Sequence, residues 1–107
     1  MPTVSEIHSM MVQGFIPEKA EGINAVIQFD LSGDNAGQFY LVVENGTVEA
    51  HEGLSENPKM TLKAATEDYY NVATGKTNAM QAFMTGKIKI TGDMSLAMKM
   101  QSMFKTS

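Results

Sequence analysis

Two rhythms of apolar residues alternate along this chain, and each change of rhythm marks an element. Val4, Ile7, Met11 and Phe15 recur at a helical spacing behind Thr3 and Glu6, which stand at the interval of a capping box. The first element therefore reads as an amphipathic helix of about three turns that Gly14 ends. Pro17 with Glu18 behind it suits the first turn of a second short helix, closed near Gly22. The period then shortens to two. Ala25, Ile27, Phe29 and Leu31 alternate with Gln28 and Asp30, the pattern of a strand with one buried face, and Gly33-Asp34-Asn35-Ala36-Gly37 is its turn. Phe39 to Glu44 and Thr47 to Glu52 flank Asn45-Gly46, the dipeptide most favoured in a two-residue type I′ hairpin. Pairing outward from that turn opposes Glu44 with Thr47, Val43 with Val48, Val42 with Glu49, Leu41 with Ala50 and Tyr40 with His51. One face then carries Phe39, Leu41, Val43, Val48 and Ala50.

A loop rich in Gly, Ser, Asn and Pro (residues 53–58) leads to a fourth strand in which Met60, Leu62 and Ala64 alternate with Thr61 and Lys63. Thr66 is the expected cap of the next helix, with Glu67 and Asp68 favouring its first turn and Gly75 ending it. Asn78 caps a further short helix bearing Met80, Phe83 and Met84, which Gly86 ends. Lys87-Ile88-Lys89-Ile90 alternates as a fifth strand, Gly92 turns the chain, and Asp93 caps a final helix to about Phe104. In that last helix Leu96, Ala97, Met100, Met103 and Phe104 span an arc of roughly 120°, which Met94 and Met98 widen to about 220°. Docking on a core needs only about 100° of apolar stripe, so this helix must meet apolar material on a second side: another helix, a partner subunit or a ligand.

Five strands and about five helices in 107 residues make one α+β domain spanning residues 1–107. No stretch approaches the ~18 apolar residues that span a bilayer, and no basic start with an apolar run marks a secretory signal, so the expected compartment is the cytoplasm. With no cysteine, disulfides, thiolate metal sites and a cysteine nucleophile are all excluded. The net charge of −4 is unevenly spread. Residues 1–58 carry nine acids against Lys19, while residues 59–107 carry seven lysines against Glu67, Asp68 and Asp93. Every basic residue is lysine, whereas sites that read bases or clamp phosphates in a fork recruit arginine, so nucleic acid is not an expected partner. The cationic half is compatible with transient contact with an anionic membrane surface. Ten methionines are a marked excess, concentrated at Met80, Met84, Met94, Met98, Met100 and Met103. Such unbranched, polarizable side chains fill irregular space and line surfaces that accept ligands of more than one shape.

Motifs with chemistry are scarce. Gly75-Lys76-Thr77 resembles the tail of a phosphate-binding loop, but Tyr70 stands where its first glycine belongs and a helix, not a strand, precedes it. Ser102 and Lys105 have Ser-x-x-Lys spacing without the accompanying acyl-enzyme motifs. His8, expected on the polar side of the first helix, and His51, beside Tyr40 on the outer sheet face, cannot build a metal cluster. Asn45-Gly46-Thr47 fits a glycosylation sequon but is explained by the hairpin turn. Glu44, Glu49 and Glu52 read as a solvated sheet edge. No activated nucleophile with a base and an orienting group is present, so no catalytic residue, metal or cofactor is expected.

Residues 83–104 carry a distinctive series: Phe83, then Gly86-Lys87, an alternating strand, Gly92-Asp93, and Leu96-Ala97 in an apolar helix. This series, with Phe39-Tyr40-Leu41-Val42-Val43, Asn45-Gly46, Gly53, Met60-Thr61-Leu62, Glu67-Asp68 and Gly75-Lys76 upstream, resembles the sterol carrier protein 2 (nonspecific lipid-transfer protein) domain family over roughly residues 4–105. The resemblance implies a five-stranded, mainly antiparallel sheet covered on one face by helices. It also implies an apolar tunnel between the layers that accepts sterols, fatty acids, fatty acyl-CoA or phospholipids. Two departures stand out. The chain ends Lys105-Thr106-Ser107, not in the peroxisomal Ser-Lys-Leu signal of familiar carriers, and Met98, Met100 and Met103 replace leucines.

The expected ligand site joins an inner sheet face of Ile27, Phe29, Leu41, Val43, Val48, Ile88 and Ile90 to Phe83, Met84, Met94, Met98, Met100, Met103 and Phe104 of the late helices. Its ligand is an apolar small molecule, a lipid or acyl chain. Lys87, Lys89 and Lys99 are the candidates for a headgroup, although alternation turns Lys87 and Lys89 away from Ile88 and Ile90. The expected function is lipid binding or transfer without chemistry, by a monomer or a homodimer. The alternatives are an accessory module presenting a lipid or an apolar helix face to a partner, and a thioesterase-like or isoprenoid-processing enzyme.

Overall fold

The structure, a computed structural model, describes residues 3–33 and 35–104, the side chain of Gln101 excepted. Asp34 of the first turn and Lys105 of the Ser-x-x-Lys spacing lie outside the described residues. The elements run α1 (Val4–Gln13), a 3-10 turn (Pro17–Ala20), β1 (Ala25–Ser32), β2 (Gly37–Glu44), β3 (Thr47–Glu52), β4 (Met60–Ala65), α2 (Thr66–Ala73), α3 (Ala79–Met84), β5 (Ile88–Gly92) and α4 (Met94–Met103). The expectation of about five helices is corrected to four α-helices. Gly22, at φ +79°, redirects the chain so soon after Pro17 that only a 3-10 turn fits between them.

The sheet has the order β3-β2-β1-β4-β5. β1 pairs with β4 in parallel, and every other pair is antiparallel. The hairpin register is the one expected from Asn45-Gly46, both of which take the positive φ of a type I′ turn. Alternation lines apolar side chains up in rows that cross four of the five strands. One row reads Phe39, Phe29, Leu62, Ile90, and the next reads Ala50, Leu41, Ile27, Met60, Gly92. Ile7 and Met11 of α1, Tyr69 of α2 and Leu96, Met100 and Met103 of α4 complete the buried core. An aromatic chain runs through it: Phe29 stacks on Phe39 at 4.6 Å between centroids, and Tyr69 meets Phe29 edge-on at 5.4 Å. His8, expected on the polar side of the first helix, instead packs 5.2 Å from the Phe39 ring, its Nε2 buried with no hydrogen-bond partner.

Caps follow the sequence signals with one exception. Thr3 and Glu6 form the reciprocal capping box, Asn78 Oδ1 accepts from the Gln81 amide, and Asp93 Oδ1 accepts from the Leu96 amide. Thr66 does not cap α2, which begins at Thr66 behind Ala65. Its buried hydroxyl donates instead to the carbonyls of Ser32 and Asn35, fastening the turn between β1 and β2 to α2.

Gln28 has a role that strand alternation conceals. It belongs to the outer row His51, Tyr40, Gln28, Thr61, Thr91, yet it is buried. Its Nε2 donates to the carbonyls of Phe39 at 3.1 Å and Gly53 at 3.0 Å, and its Oε1 accepts from the Ser55 amide at 2.7 Å and hydroxyl at 2.9 Å. The loop between β3 and β4 is thereby fastened over the outer face. Gln28→Leu leaves these groups unpaired and is expected to cost about 2 to 3 kcal/mol in chemical denaturation. Amide exchange at Ser55 should rise with it, whereas unchanged exchange would show that the loop holds itself.

Candidate ligand cavity

Where β4 and β5 meet the late helices, the two layers do not close. A cavity of ≈ 520 Å³ opens there, within the range of small-molecule sites, ~300 to 1,000 Å³. Its floor is Leu62 of β4 with Ile88 and Ile90 of β5. Tyr69, Val72 and Ala73 of α2, Met80 and Phe83 of α3, and Met94, Ala97, Met98 and Met100 of α4 form walls and roof, and Met10, Met11 and Phe104 contribute further. The breadth of the apolar arc on α4 is thus accounted for: Leu96 and Met103 enter the core, while Met94 and Met98 border the cavity and are exposed. Phe104 is held where the chain leaves α4, with its ring 5.6 Å from Phe15 and the Ile16 amide donating to the Met103 carbonyl at 2.7 Å.

The wall is nearly free of ionisable groups. Among the described residues that line it, Tyr69 alone titrates. Its hydroxyl donates to Met11 Sδ at 3.4 Å, and burial pushes its pKa up from a value at which the phenol is already protonated at ordinary pH. Outside the cavity, across Thr77 and Asn78, lies a smaller polar hollow of ≈ 260 Å³ bordered by Lys76, Gln81, Thr85 and Lys87. Among the described residues no cluster of His, Asp and Glu is placed to hold a metal, and no helix is long and apolar enough to cross a membrane.

Of the residues expected to enclose a ligand, Phe83, Ile88, Ile90, Met94, Met98, Met100 and Phe104 are gathered around this cavity. Ile27, Phe29, Leu41, Val43 and Met103 are in the packed core, Val48 packs against it, and Met84 projects into solvent at 77% exposure. Lys87 borders the outer hollow. Lys89 pairs with Lys63 in the row that faces away from the Ile88 and Ile90 floor, and Lys99 is exposed on α4. Leu62, Met10, Met11, Tyr69, Val72 and Ala73 were not among the expected lining residues. Periodicity placed Met11 and Leu62 on buried faces and singled out none of the others, and it does not reveal which part of a core stays hollow.

Comparison with known proteins follows the same lines. The model described as SCP-2 sterol transfer family matches residues 15–105. The chain is 36% identical over 104 residues to hydroxysteroid dehydrogenase-like protein 2 of Danio rerio, covering 94% of this chain and 24% of that protein. It is 34% identical over 92 residues to peroxisomal multifunctional enzyme A of Dictyostelium discoideum, covering 84% and 21%. The chain therefore spans less than a quarter of the length of these curated relatives. Among solved structures, palmitated SCP2L2 from Aedes aegypti superposes with a TM-score of 0.76 at 21% identity, covering 94% of this chain and 93% of that one. Sterol carrier protein 2 from Yarrowia lipolytica in its apo form gives 0.71 at 24%, covering 92% and 84%. These two similarities establish a shared fold.

Proposed function

Because the chain belongs to the SCP-2 sterol transfer family, we propose that it is a lipid carrier, holding the apolar part of a sterol, fatty acid, fatty acyl-CoA or phospholipid in the cavity between β4, β5 and the late helices. The observation that carries this reading is the wall itself: apolar side chains around ≈ 520 Å³, with no charged group facing inward among the described lining residues. Each buried methylene contributes about 0.8 kcal/mol, so ten contribute on the order of 8 kcal/mol before the costs of ordering and association. That suffices for capture without chemistry, and pure protein is expected not to hydrolyse acyl-CoA. The working compartment in this reading is the cytoplasm. Native mass spectrometry of protein purified without detergent, with titration of a fluorescent fatty acid, tests the proposal. A copurified lipid or saturable binding is expected, and the absence of both would end it.

Exposed Met80, Phe83, Met94 and Met98 border the cavity, and Met84 stands beside them. This rim is the surface through which the carrier meets a membrane in the proposed transfer step, with Lys76 and Lys87 next to it. Met84→Glu, outside the cavity wall, is expected to slow transfer from donor to acceptor vesicles containing anionic lipid about threefold or more through like-charge repulsion and lost apolar contact. Equilibrium affinity should stay unchanged, and a parallel loss of affinity would place Met84 in the ligand site instead. The curated relatives favour a second role for the same cavity: in a longer protein such a domain presents its lipid to an enzymatic partner.

A further inference from the structure

Tyr69 is the one titratable side chain among the described residues that line the cavity. Tyr69 is 4% exposed, yet it lines the cavity together with Met11, whose Sδ accepts a hydrogen bond from its hydroxyl at 3.4 Å. A thioether is a weak acceptor, so the hydroxyl proton is weakly held, and an oxygen acceptor on a ligand would bind it better. The edge-on contact with Phe29, itself fully buried, keeps the ring in place. The other polar side chains on the wall, Thr77 and Asn78, lie in the loop shared with the outer hollow, and Asn78 Oδ1 is already engaged in capping α3. An anionic group inside would meet no counter-charge among the described lining residues and would stay in water. A neutral oxygen carries no such penalty.

We infer that Tyr69 is a specificity-determining donor, and that the cavity prefers apolar molecules whose buried end carries one uncharged oxygen, an alcohol or a ketone, over the corresponding hydrocarbon. The inference rests on the carrier reading and narrows it. A phenol is protonated, and hence a donor, at ordinary pH, and burial moves its pKa further up.

The test displaces a fluorescent fatty acid with two matched sets of competitors. Cholestanol, cholestanone and cholestane represent a ring skeleton, and hexadecanol and hexadecane a chain. In at least one set the oxygenated member is expected to bind the wild type about tenfold more tightly than its hydrocarbon, a difference of about 1.4 kcal/mol. The set that shows the difference identifies the skeleton. Tyr69→Phe, which keeps the ring, should erase the preference by weakening the oxygenated ligand alone. Met11→Leu, which removes the competing acceptor, should retain or sharpen it. Equal binding within both sets in the wild type, a preference that survives in Tyr69→Phe, or one lost in Met11→Leu overturns the inference while leaving the carrier standing. If neither the probe nor any competitor binds, the carrier reading fails with it.

Discussion

Ala73→Trp is expected to weaken binding of every apolar ligand by about tenfold or more while changing the free energy of unfolding by no more than about 1 kcal/mol. Ala73 closes α2 on the cavity wall, so an indole there is accommodated in space that is otherwise empty. Enlarging a side chain in a tightly packed core forces strain on its neighbours, but enlarging one beside a void does not, and the added surface gains dispersion contacts. Ligand titration and chemical denaturation of the same preparation separate the two effects. If the variant unfolds easily yet still binds, the hollow lies elsewhere. A change of the same size at Ala50, on the same sheet face but in the edge strand β3 and not among the cavity's lining residues, should leave affinity intact.

Gly92→Ala should be the most damaging single methyl group in the sheet, with a loss of about 3 kcal/mol or more. Gly92 pairs with Met60 at a φ of +99°, which already disfavours any side chain. A Cβ built there would lie 2.5 Å from the Lys59 carbonyl oxygen and 2.8 Å from Met60 Cα, both of them backbone atoms that cannot rotate away. The same Lys59 carbonyl accepts the Asp93 amide at 3.0 Å, so the strain falls on the junction that leads β5 into α4. Because β5 supplies Ile88 and Ile90 to the cavity floor, affinity and stability should fall together in denaturation and titration. A variant as stable as the wild type would mean that the end of β5 can move away from β4 at little cost.

The strands were legible because their information is local. Period-two alternation located β1, β4 and β5, and Asn45-Gly46 placed the two hairpin strands and fixed their register pair by pair, since a two-residue turn leaves no freedom in what opposes what. The parallel pairing of β1 with β4 was not legible. It depends on which edge of the hairpin sheet is free and on how residues 53–59 travel, and neither leaves a periodic trace. That pairing decides the site. It carries β4 and β5 to the side of β1 away from the hairpin, so the hollow forms over Leu62, Ile88 and Ile90, while Ile27, Leu41 and Val43 end in solid packing. Polar residues misled for a related reason. Gln28 and Thr66 have the composition of a solvated strand position and a helix cap, but partners distant in sequence, Ser55 and Ser32, decide what their side chains do.

The contact between Phe15 and Phe104, and the bond from Ile16 to Met103, join segments separated by most of the sequence. Met11 and Phe104 face the same hollow from either side of that junction. The lining residues run from Met10 to Phe104, so no short fragment of the chain contains the cavity. The β2–β3 hairpin can assemble from neighbouring residues alone, but the cavity arises only when α4 arrives and long-range closure completes it, a slower kind of step than local pairing. In the proposed carrier reading, a ligand can therefore be held only after α4 has docked on the sheet.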